Sequence, residues 1–189
     1  ELKKKLLIKS NDTVVLMGLN PFDLIISSIV LDGLVKKIYF LPDNFPLDLI
    51  EYSVLIKNDL TPSRVSENKS NSTSVTQWVL FTSGTTGTPK MIFHTFESLS
   101  FSCKGYDNCI QKFDWILSYD VKRFAGLQVV LQSMLSGSHL FVPDDFSFES
   151  ILNCILENKP NCISCTPSFF RKLLFSKDFQ EMSFVQITL

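Results

Sequence analysis

The chain has 189 residues, of which 45% are hydrophobic and 20% are charged. Its 18 Lys and Arg residues nearly balance its 19 Asp and Glu residues, so the formal net charge is −1 and the basic excess of a general nucleic-acid binder is absent. The hydrophobic share and the low count of 7 Gly exclude disorder and collagen, and no apolar run reaches the roughly 18 residues of a membrane span.

The first third of the sequence predicts alternating strands and helices. The predicted elements are a strand over 13–18, a helix over 21–34, a strand over 36–41, a short helix over 45–52 and a strand over 53–56. Asn20 and Pro21 indicate where the first helix begins, because Asn is a good N-cap and Pro is favoured in the first turn. This alternation is typical of parallel βαβ units.

Residues 61–76 are almost all polar and form a stretch longer than most loops, which predicts a linker. We therefore expect one α/β subdomain over residues 1–60 and a second over residues 77–189. The second subdomain is predicted to contain strands over 77–81, 91–94, 115–118, 140–142, 161–165 and 184–187, and helices over 95–110, 124–135, 147–158 and 168–175. The predicted fold class is α/β, with mainly parallel sheets flanked by helices.

Two of the five cysteines, Cys162 and Cys165, have the C-x-x-C spacing of some metal and redox sites. They fall in a predicted strand, where residues three apart point to opposite faces. A zinc site also needs two more ligands, and neither His94 nor His139 lies in a supporting motif. We therefore expect these cysteines to be core residues and both histidines to be structural. Reduced thiols favour a cytoplasmic location.

The most informative stretch is residues 82–90, Thr-Ser-Gly-Thr-Thr-Gly-Thr-Pro-Lys. It follows an apolar strand, where α/β proteins place ligands. Its glycines let the backbone approach a ligand, its hydroxyls and amides can donate to anionic oxygens, and Lys90 adds a positive charge. The alternative is a flexible turn between two strands, but such a turn needs neither four hydroxyls nor a lysine. The spacing also differs from a Walker A loop.

Residues 80–90, Leu-Phe-Thr-Ser-Gly-Thr-Thr-Gly-Thr-Pro-Lys, closely resemble the phosphate-binding signature of the AMP-forming adenylate-forming superfamily. That superfamily contains acyl- and aryl-CoA synthetases, luciferases and nonribosomal peptide synthetase adenylation domains. Residues 12–42, 126–138 and 166–174 also resemble its sequences, and the resemblance implies part of the large N-terminal domain. The ATP phosphate contacts that it implies are Thr82, Ser83, Gly84, Thr85, Thr86, Gly87 and Lys90.

The resemblance implies a two-step reaction with ATP and Mg²⁺. A small carboxylic acid forms an acyl-adenylate and pyrophosphate, and a thiol of CoA or of a carrier protein then takes the acyl group. The family's adenine, ribose and catalytic segments would follow Leu189, so we expect an N-terminal fragment that is inactive alone. Two alternatives stay open: a natural short nucleotide- or phosphate-binding module, and a non-catalytic scaffold that kept the fold. The phosphate loop disfavours the scaffold.

The sequence departs from the family pattern after residue 119. Lys122 and Arg123 stand where the family has an aromatic–His pair, in a region that borders the acyl pocket. We hypothesise a substrate pocket that includes Arg123, Phe124 and Gly126, in which Arg123 meets a polar or anionic part of the acid. The alternative is a solvated helix start whose cations pair with Asp120.

Overall fold

The structure, a computed structural model, describes residues 8–42, 44–66, 75–82, 89–103, 113–176, 179 and 183–189. The chain divides into two compact units, residues 1–99 and residues 100–189. Strands and helices alternate in both units and most strand pairs are parallel, which confirms the predicted α/β class. Within the described residues, no helix combines the length and the apolarity needed to cross a bilayer.

The first unit is built on a six-stranded sheet. Its strands are β1 (Thr13–Leu16), β2 (Lys37–Phe40), β3 (Val54–Ile56), β4 (Pro62–Arg64), β5 (Gln77–Thr82) and β6 (Lys90–His94). They lie in the order β4-β3-β1-β2-β5-β6, with four parallel strands in the centre and an antiparallel strand at each edge. The other elements up to residue 100 are helix α1 (Pro21–Leu31), a 3₁₀ turn (Leu47–Leu49) and the short helix α2 (Phe96–Ser100).

Helix α1 begins as predicted but ends earlier than predicted. The Asn20 side chain accepts a hydrogen bond from the Asp23 amide at 2.8 Å, which satisfies one free donor of the first turn. At the other end, Asp32 is already extended, and its carboxylate accepts a hydrogen bond from Trp78 Nε1 at 2.7 Å. The bond between Asp32 and the first sheet therefore favours an end at Leu31 over the expected end at residue 34.

The two faces of the first sheet have different cores. On one face, here called the aromatic face, a buried cluster includes Tyr39, Phe45 and Phe81, and the ring centroids of Phe45 and Phe81 are 4.6 Å apart. On the other face, here called the helix face, Phe40 stacks on Trp78 with centroids 5.4 Å apart. Helix α1 lies over the helix face, since the residue that ends it bonds Trp78.

A buried carboxylate joins the amino ends of the first-sheet strands. The Asp12 side chain is fully buried and accepts hydrogen bonds from both terminal nitrogens of Arg64, at 2.9 and 2.8 Å, and from Ser53 Oγ at 2.9 Å. Its backbone carbonyl accepts from the Lys36 amide at 2.8 Å. Burial raises the pKa of Asp12, but the bonds from Arg64, the Lys9 amide and Ser53 outweigh burial, so this pKa lies below its ordinary value. We call this set the Asp12 clamp.

The second unit contains a parallel four-stranded sheet. Its strands are β7 (Asp114–Ile116), β8 (His139–Phe141), β9 (Cys162–Ser164) and β10 (Gln186–Thr188), in the order β10-β9-β7-β8. Its helices are α3 (Phe124–Leu135), α4 (Phe148–Asn158) and α5 (Pro167–Leu174). Ser147 caps α4 and Thr166 caps α5 through their side-chain oxygens. Ile116, Ile155 and Ile163 belong to its main buried cluster.

The units divide at a different place from the predicted linker. Strand β4 lies inside residues 61–76, and β5 pairs with β2, so residues 77–99 belong to the first unit instead of the second. The polar composition of residues 61–76 could not predict this division, because Arg64 bonds Asp12, a buried residue 52 positions earlier in the chain. Of the helix expected over residues 95–110, α2 is described, and residues 104–112 lie outside the described part.

The cysteine pair is structural, as predicted. Cys162 and Cys165 are free and buried, and burial raises the pKa of each thiol to about 11. A thiol with so high a pKa is a poor nucleophile and a poor metal ligand at neutral pH. Within the described residues, no group of three or more His, Cys, Asp or Glu side chains is arranged to hold a metal ion.

Candidate functional site

Strands β5 and β6 hold the two ends of the predicted phosphate loop together. Thr82, the last residue of β5, is the cross-strand partner of Lys90, the first residue of β6. Directly paired residues lie about 5 Å apart and point to the same face of the sheet. The side chains of Thr82 and Lys90 therefore leave the backbone next to each other on the helix face. Both side chains are exposed. The other predicted contacts, Ser83, Gly84, Thr85, Thr86 and Gly87, lie outside the described residues.

This base of the loop stands at the carboxyl edge of the parallel strands. Strands β1, β2, β3 and β5 all end there, and α/β folds place ligands at this edge. The loops after β1 and β3 approach each other closely at the same edge. Gly18 has φ 69°, which favours glycine, and a Cβ at this position would lie 2.3 Å from Asn58 Oδ1, so any larger residue would also displace the Asn58 side chain. The loops after β1 and β3 are therefore packed against each other at the edge of the sheet where β5 also ends.

His94 lies at the far end of the same hairpin. It pairs with Trp78, and it lies four positions after Lys90 along the strand, which corresponds to about 13 Å. Burial lowers the pKa of His94. The predicted structural role fits this position, because the ring is too distant from Thr82 and Lys90 to share a ligand phosphate with them.

A second candidate region precedes helix α3. Arg123 is the N-cap residue of α3, and its amide donates to the Asp120 carbonyl at 2.9 Å. The Lys122 ammonium lies 3.6 Å from the Asp120 carboxylate, which also accepts from the Lys122 amide at 2.9 Å. Lys122 therefore pairs with Asp120, as the solvated-helix-start alternative expected. Arg123 and Phe124 are exposed.

Gly126 fixes this turn against the first turn of α3. A Cβ at Gly126 would lie 2.3 Å from the Asp120 carbonyl oxygen and 3.0 Å from the Tyr119 carbonyl oxygen. Both clashes are with backbone, which cannot rotate away as a flexible side chain can. The contact of glycine with the Asp120 carbonyl thus sets the position of Lys122 and Arg123 relative to the helix. We call residues 119–126 the helix-entry turn.

The helix-entry turn leaves the second sheet at its topological switch point. Strand β7 connects through α3 to β8 on one side, whereas β9 lies on the other side of β7 and connects through α5 to β10. In open α/β sheets, ligands bind in the crevice where the connections diverge in this way. The Ser118 hydroxyl donates to the Ser164 carbonyl and ties the carboxyl ends of β7 and β9 together. Burial, followed by the nearby Cys165, raises the pKa of Tyr119.

His139 lies at the opposite, amino end of the second sheet. Its Nδ1 is 2.8 Å from an Asp114 carboxylate oxygen, and its side chain is 71% exposed. The pair joins the first residues of β7 and β8, which agrees with the predicted structural role.

Sequence reasoning missed the Asp12 clamp and the contact between Gly126 and Asp120. Each joins residues that are not neighbours in the sequence, and Arg64 was hidden in a stretch whose composition indicates a linker. The isolated Gly126 inside an otherwise apolar helix was the available signal, because such a glycine often marks a close approach.

The family comparison agrees with the resemblance. The model of the family described as AMP-binding enzyme matches residues 33–189. The chain therefore belongs to the AMP-binding enzyme family. This confirms the resemblance that rested on the phosphate-binding signature.

Similar curated proteins are CoA ligases. A 2-succinylbenzoate–CoA ligase from Listeria monocytogenes is 26% identical over 128 residues, which cover 66% of this chain and 27% of the ligase. One from Staphylococcus aureus is 28% identical over 120 residues, which cover 60% of this chain and 24% of the ligase. The chain thus spans about a quarter of the length of these curated relatives.

Solved structures share the fold. The o-succinylbenzoate coenzyme A synthetase MenE from Bacillus subtilis, in complex with AMP, matches 92% of this chain and 54% of its own, with TM-score 0.67 and 18% identity. The N-terminal subdomain of Klebsiella oxytoca NpsA, in complex with 3-hydroxybenzoyl-AMSN, matches 93% of this chain and 52% of its own, with TM-score 0.68 and 17% identity. The described residues therefore share the fold of these two proteins.

Proposed function

We propose that this chain supplies the ATP phosphate-binding part of an AMP-forming carboxylate–thiol ligase. The observation that carries the proposal is the Thr82–Lys90 pair. It joins the two ends of a Ser/Thr/Gly-rich sequence at the ligand-binding edge of a parallel sheet. Membership of the AMP-binding enzyme family supports the same function.

The proposed reaction has two steps. A carboxylate oxygen attacks the α-phosphorus of ATP, the bond to the β-phosphate oxygen breaks, and pyrophosphate leaves with its electron pair. The thiol sulfur of CoA or of a carrier protein then attacks the acyl carbon, and AMP leaves while the thiol proton is lost. In this scheme Lys90 and Thr82, with residues 83–87, hold the β- and γ-phosphates and stabilise the charge that develops on pyrophosphate.

The scheme includes Mg²⁺ as a counter-ion of the phosphates, which would lower the cost of bringing an anionic carboxylate to ATP. The described residues contain no cluster of three potential ligands for the ion. We therefore assign no step of the reaction to a metal held by these residues.

We propose that the acid is a small carboxylate with a second polar or anionic group. The curated relatives are ligases of 2-succinylbenzoate, which carries two carboxyl groups. Arg123, Phe124 and Gly126 are the proposed pocket residues. The Arg123 guanidinium, which is exposed at the start of α3, is the group that we propose for the second carboxylate of a substrate, since a guanidinium binds a carboxylate through two parallel hydrogen bonds.

The phosphate role is tested by calorimetric titration of the chain with pyrophosphate and with MgATP. Loss of one charge-assisted contact is worth about 1.5–3 kcal/mol, so Lys90→Ala should weaken pyrophosphate binding about 10- to 100-fold. The matched control is Lys57→Ala, which removes an exposed lysine from the loop after β3 at the same edge. Unchanged pyrophosphate affinity in Lys90→Ala would contradict the proposed role of the loop.

The acid preference is tested by ATP–pyrophosphate exchange with the full-length protein that carries this chain. Paired acids that differ by one carboxyl group, such as 2-succinylbenzoate and 4-oxo-4-phenylbutanoate, isolate the contribution of the second charge. Arg123→Gln should reduce the preference for the diacid about tenfold and leave the monoacid rate unchanged. An unchanged preference would reject Arg123 as the specificity residue without affecting the test on Lys90.

A further inference from the structure

The two edges of the first sheet differ in how they are protected. Strand β4 at one edge has three residues, begins with a proline and ends with Arg64, which bonds the buried Asp12 carboxylate. A short strand that contains a proline and a charge discourages the pairing of a further strand. Strand β6 at the other edge has five residues and no proline. Of these two strands, β6 therefore offers the longer and less protected edge.

Strand β6 exposes apolar side chains on both faces of the sheet. Met91 and Phe93 point to the aromatic face and are 42% and 49% exposed, whereas Ile92 points to the helix face and is 39% exposed. Within the described residues, β5 is the one strand that pairs with β6. Three consecutive exposed apolar side chains on an edge strand favour the addition of another strand. We call this strand, with its outward-facing backbone, the β6 edge.

The sequence of β6 is complementary to itself. In an antiparallel pair of two copies, the register centred on Ile92 matches all five residues of each strand. Ile92 then lies opposite Ile92 of the other copy, and Met91 lies opposite Phe93. These pairs are apolar, and methionine sulfur makes favourable contacts with aromatic rings. The register therefore brings together the residues that each β6 edge exposes.

The ends of the same register bring no like charges together. Lys90 of one copy lies opposite His94 of the other. Burial lowers the pKa of His94, so its ring is uncharged at neutral pH and does not repel the lysine. Like charges directly opposite each other would destabilise a strand pair, and this arrangement avoids them.

Symmetry also agrees with an antiparallel pair. A two-fold axis perpendicular to the sheet joins two identical edges and keeps the same faces of both sheets on one side. The two aromatic faces then become continuous through Met91 and Phe93, while the two Ile92 side chains meet on the helix face. Such an isologous interface uses one surface of the chain twice, so each copy supplies the partner strand that the other accepts.

We propose that the β6 edge is an interface at which a second copy of this chain adds its own β6, so that two six-stranded sheets become one continuous sheet. The pairing buries apolar side chains of both copies and satisfies backbone groups along both strands. It also places a further strand beside Lys90, at the base of the predicted phosphate loop. The proposal does not rest on the proposed ligase function, since it uses the sequence and the position of β6 alone.

Sedimentation equilibrium of the chain between micromolar and millimolar concentration tests the proposal. The wild-type chain should show a monomer–dimer equilibrium. Ile92→Lys and Ile92→Glu each place two like charges opposite each other at the centre of the interface, so each should weaken self-association about 100-fold or more. An equimolar mixture of the two variants should form a heterodimer, because the two introduced charges then have opposite signs.

The matched control is Val65→Lys, which changes an exposed apolar residue beside β4 at the opposite edge of the same sheet and should leave the dissociation constant unchanged. The mixture also separates the interface from misfolding, since a variant that failed to fold would not regain association on mixing.

A wild-type chain that stays monomeric would overturn the proposal. So would equal dissociation constants of wild type and Ile92→Lys, or a mixture of the two charge variants that stays monomeric. Self-association that Val65→Lys weakens as much as Ile92→Lys would place the interface elsewhere and would also overturn it.

Discussion

The base of the predicted phosphate loop and the helix-entry turn are held by different forces. Thr82 and Lys90 meet through the backbone pairing of β5 and β6, and their side chains are exposed. The helix-entry turn is held by the close approach of Gly126 to the Asp120 carbonyl and by the ion pair of Asp120 with Lys122. Strand pairing therefore positions the loop base, whereas close packing within the turn positions the helix-entry turn.

This difference determines how stability and function are coupled. Exposed side chains on a paired backbone can be replaced with little effect on folding, so ligand binding at Lys90 should be separable from stability. In the helix-entry turn, the residue that positions Arg123 is also tightly packed. Changes at Gly126 should therefore alter folding and substrate preference together.

The two tryptophans allow each region to be followed separately. Trp78 lies in the first unit and Trp115 in the second, and both are buried. Trp78→Phe and Trp115→Phe backgrounds would each leave one emitting residue. Fluorescence during denaturant unfolding then measures the free energy of unfolding of the unit that contains the remaining tryptophan.

The largest expected effect is the loss of the Asp12 clamp. Arg64→Leu leaves the Asp12 carboxylate buried without its cation and should lower the free energy of unfolding of the first unit by about 3–5 kcal/mol. Trp78 fluorescence in urea measures this change. Arg171→Leu, at an exposed position in α5, is the control and should change it by less than about 0.5 kcal/mol. A small effect of Arg64→Leu would mean that the sheet holding the loop base does not depend on the clamp.

Acid should weaken the same unit. The folded pKa of Asp12 is below its unfolded value, so the carboxylate contributes its full stabilisation above the unfolded pKa, about 4. That stabilisation is lost as pH falls through the folded pKa. Urea unfolding of wild type between pH 5 and pH 2 should show the decline, and Asp12→Asn/Arg64→Leu should show less of it. Parallel pH profiles in the two proteins would assign the acid sensitivity to other carboxylates.

At the helix-entry turn, Gly126→Ala should cost about 1–3 kcal/mol of stability, because the added methyl meets backbone atoms. Trp115 fluorescence measures the loss. Gly137→Ala offers a comparison without a clash, since no atom lies within 4 Å of a Cβ there; its φ of 64° alone should cost about 1 kcal/mol. A Gly126→Ala protein as stable as wild type would show that the turn adjusts freely.

The smallest expected effect on stability is at the loop base. Lys90→Gln should change the free energy of unfolding by less than about 0.5 kcal/mol, because its side chain is exposed at the start of an edge strand. Urea unfolding followed through Trp78 tests this. A loss above about 1 kcal/mol would show that Lys90 contributes to folding, and the two regions would then not differ as described.

Much of the fold followed from local sequence patterns. Asn20-Pro21 and Ser147 mark helix starts through capping chemistry, and the structure confirms both. Thr166 caps α5 in the same way, and this helix begins at Pro167, one residue before the predicted start. The apolar run at residues 13–18 predicted a strand buried on both faces, which β1 confirms over residues 13–16. The predicted site residues in 83–87 remain a proposal, whereas Thr82 and Lys90 lie together.

The other parts of the fold could not be predicted, because they depend on contacts between residues that are distant in the sequence. The predicted linker contains β4 because Arg64 reaches Asp12, and α1 ends early because Asp32 bonds Trp78. Composition cannot predict either contact, since each depends on a partner more than 40 residues away.

By itself, the sequence determined the α/β class, the helix starts, the buried cysteines and the phosphate-binding signature, because propensity, capping and motif chemistry act over short distances. Tertiary structure alone decided where the units divide and which carboxylate is clamped, and the packing of the helix-entry turn decided why residue 126 is glycine. The first two features arise when strands distant in the chain pair, since pairing brings buried charges together, whereas Gly126 meets carbonyl groups of its own turn.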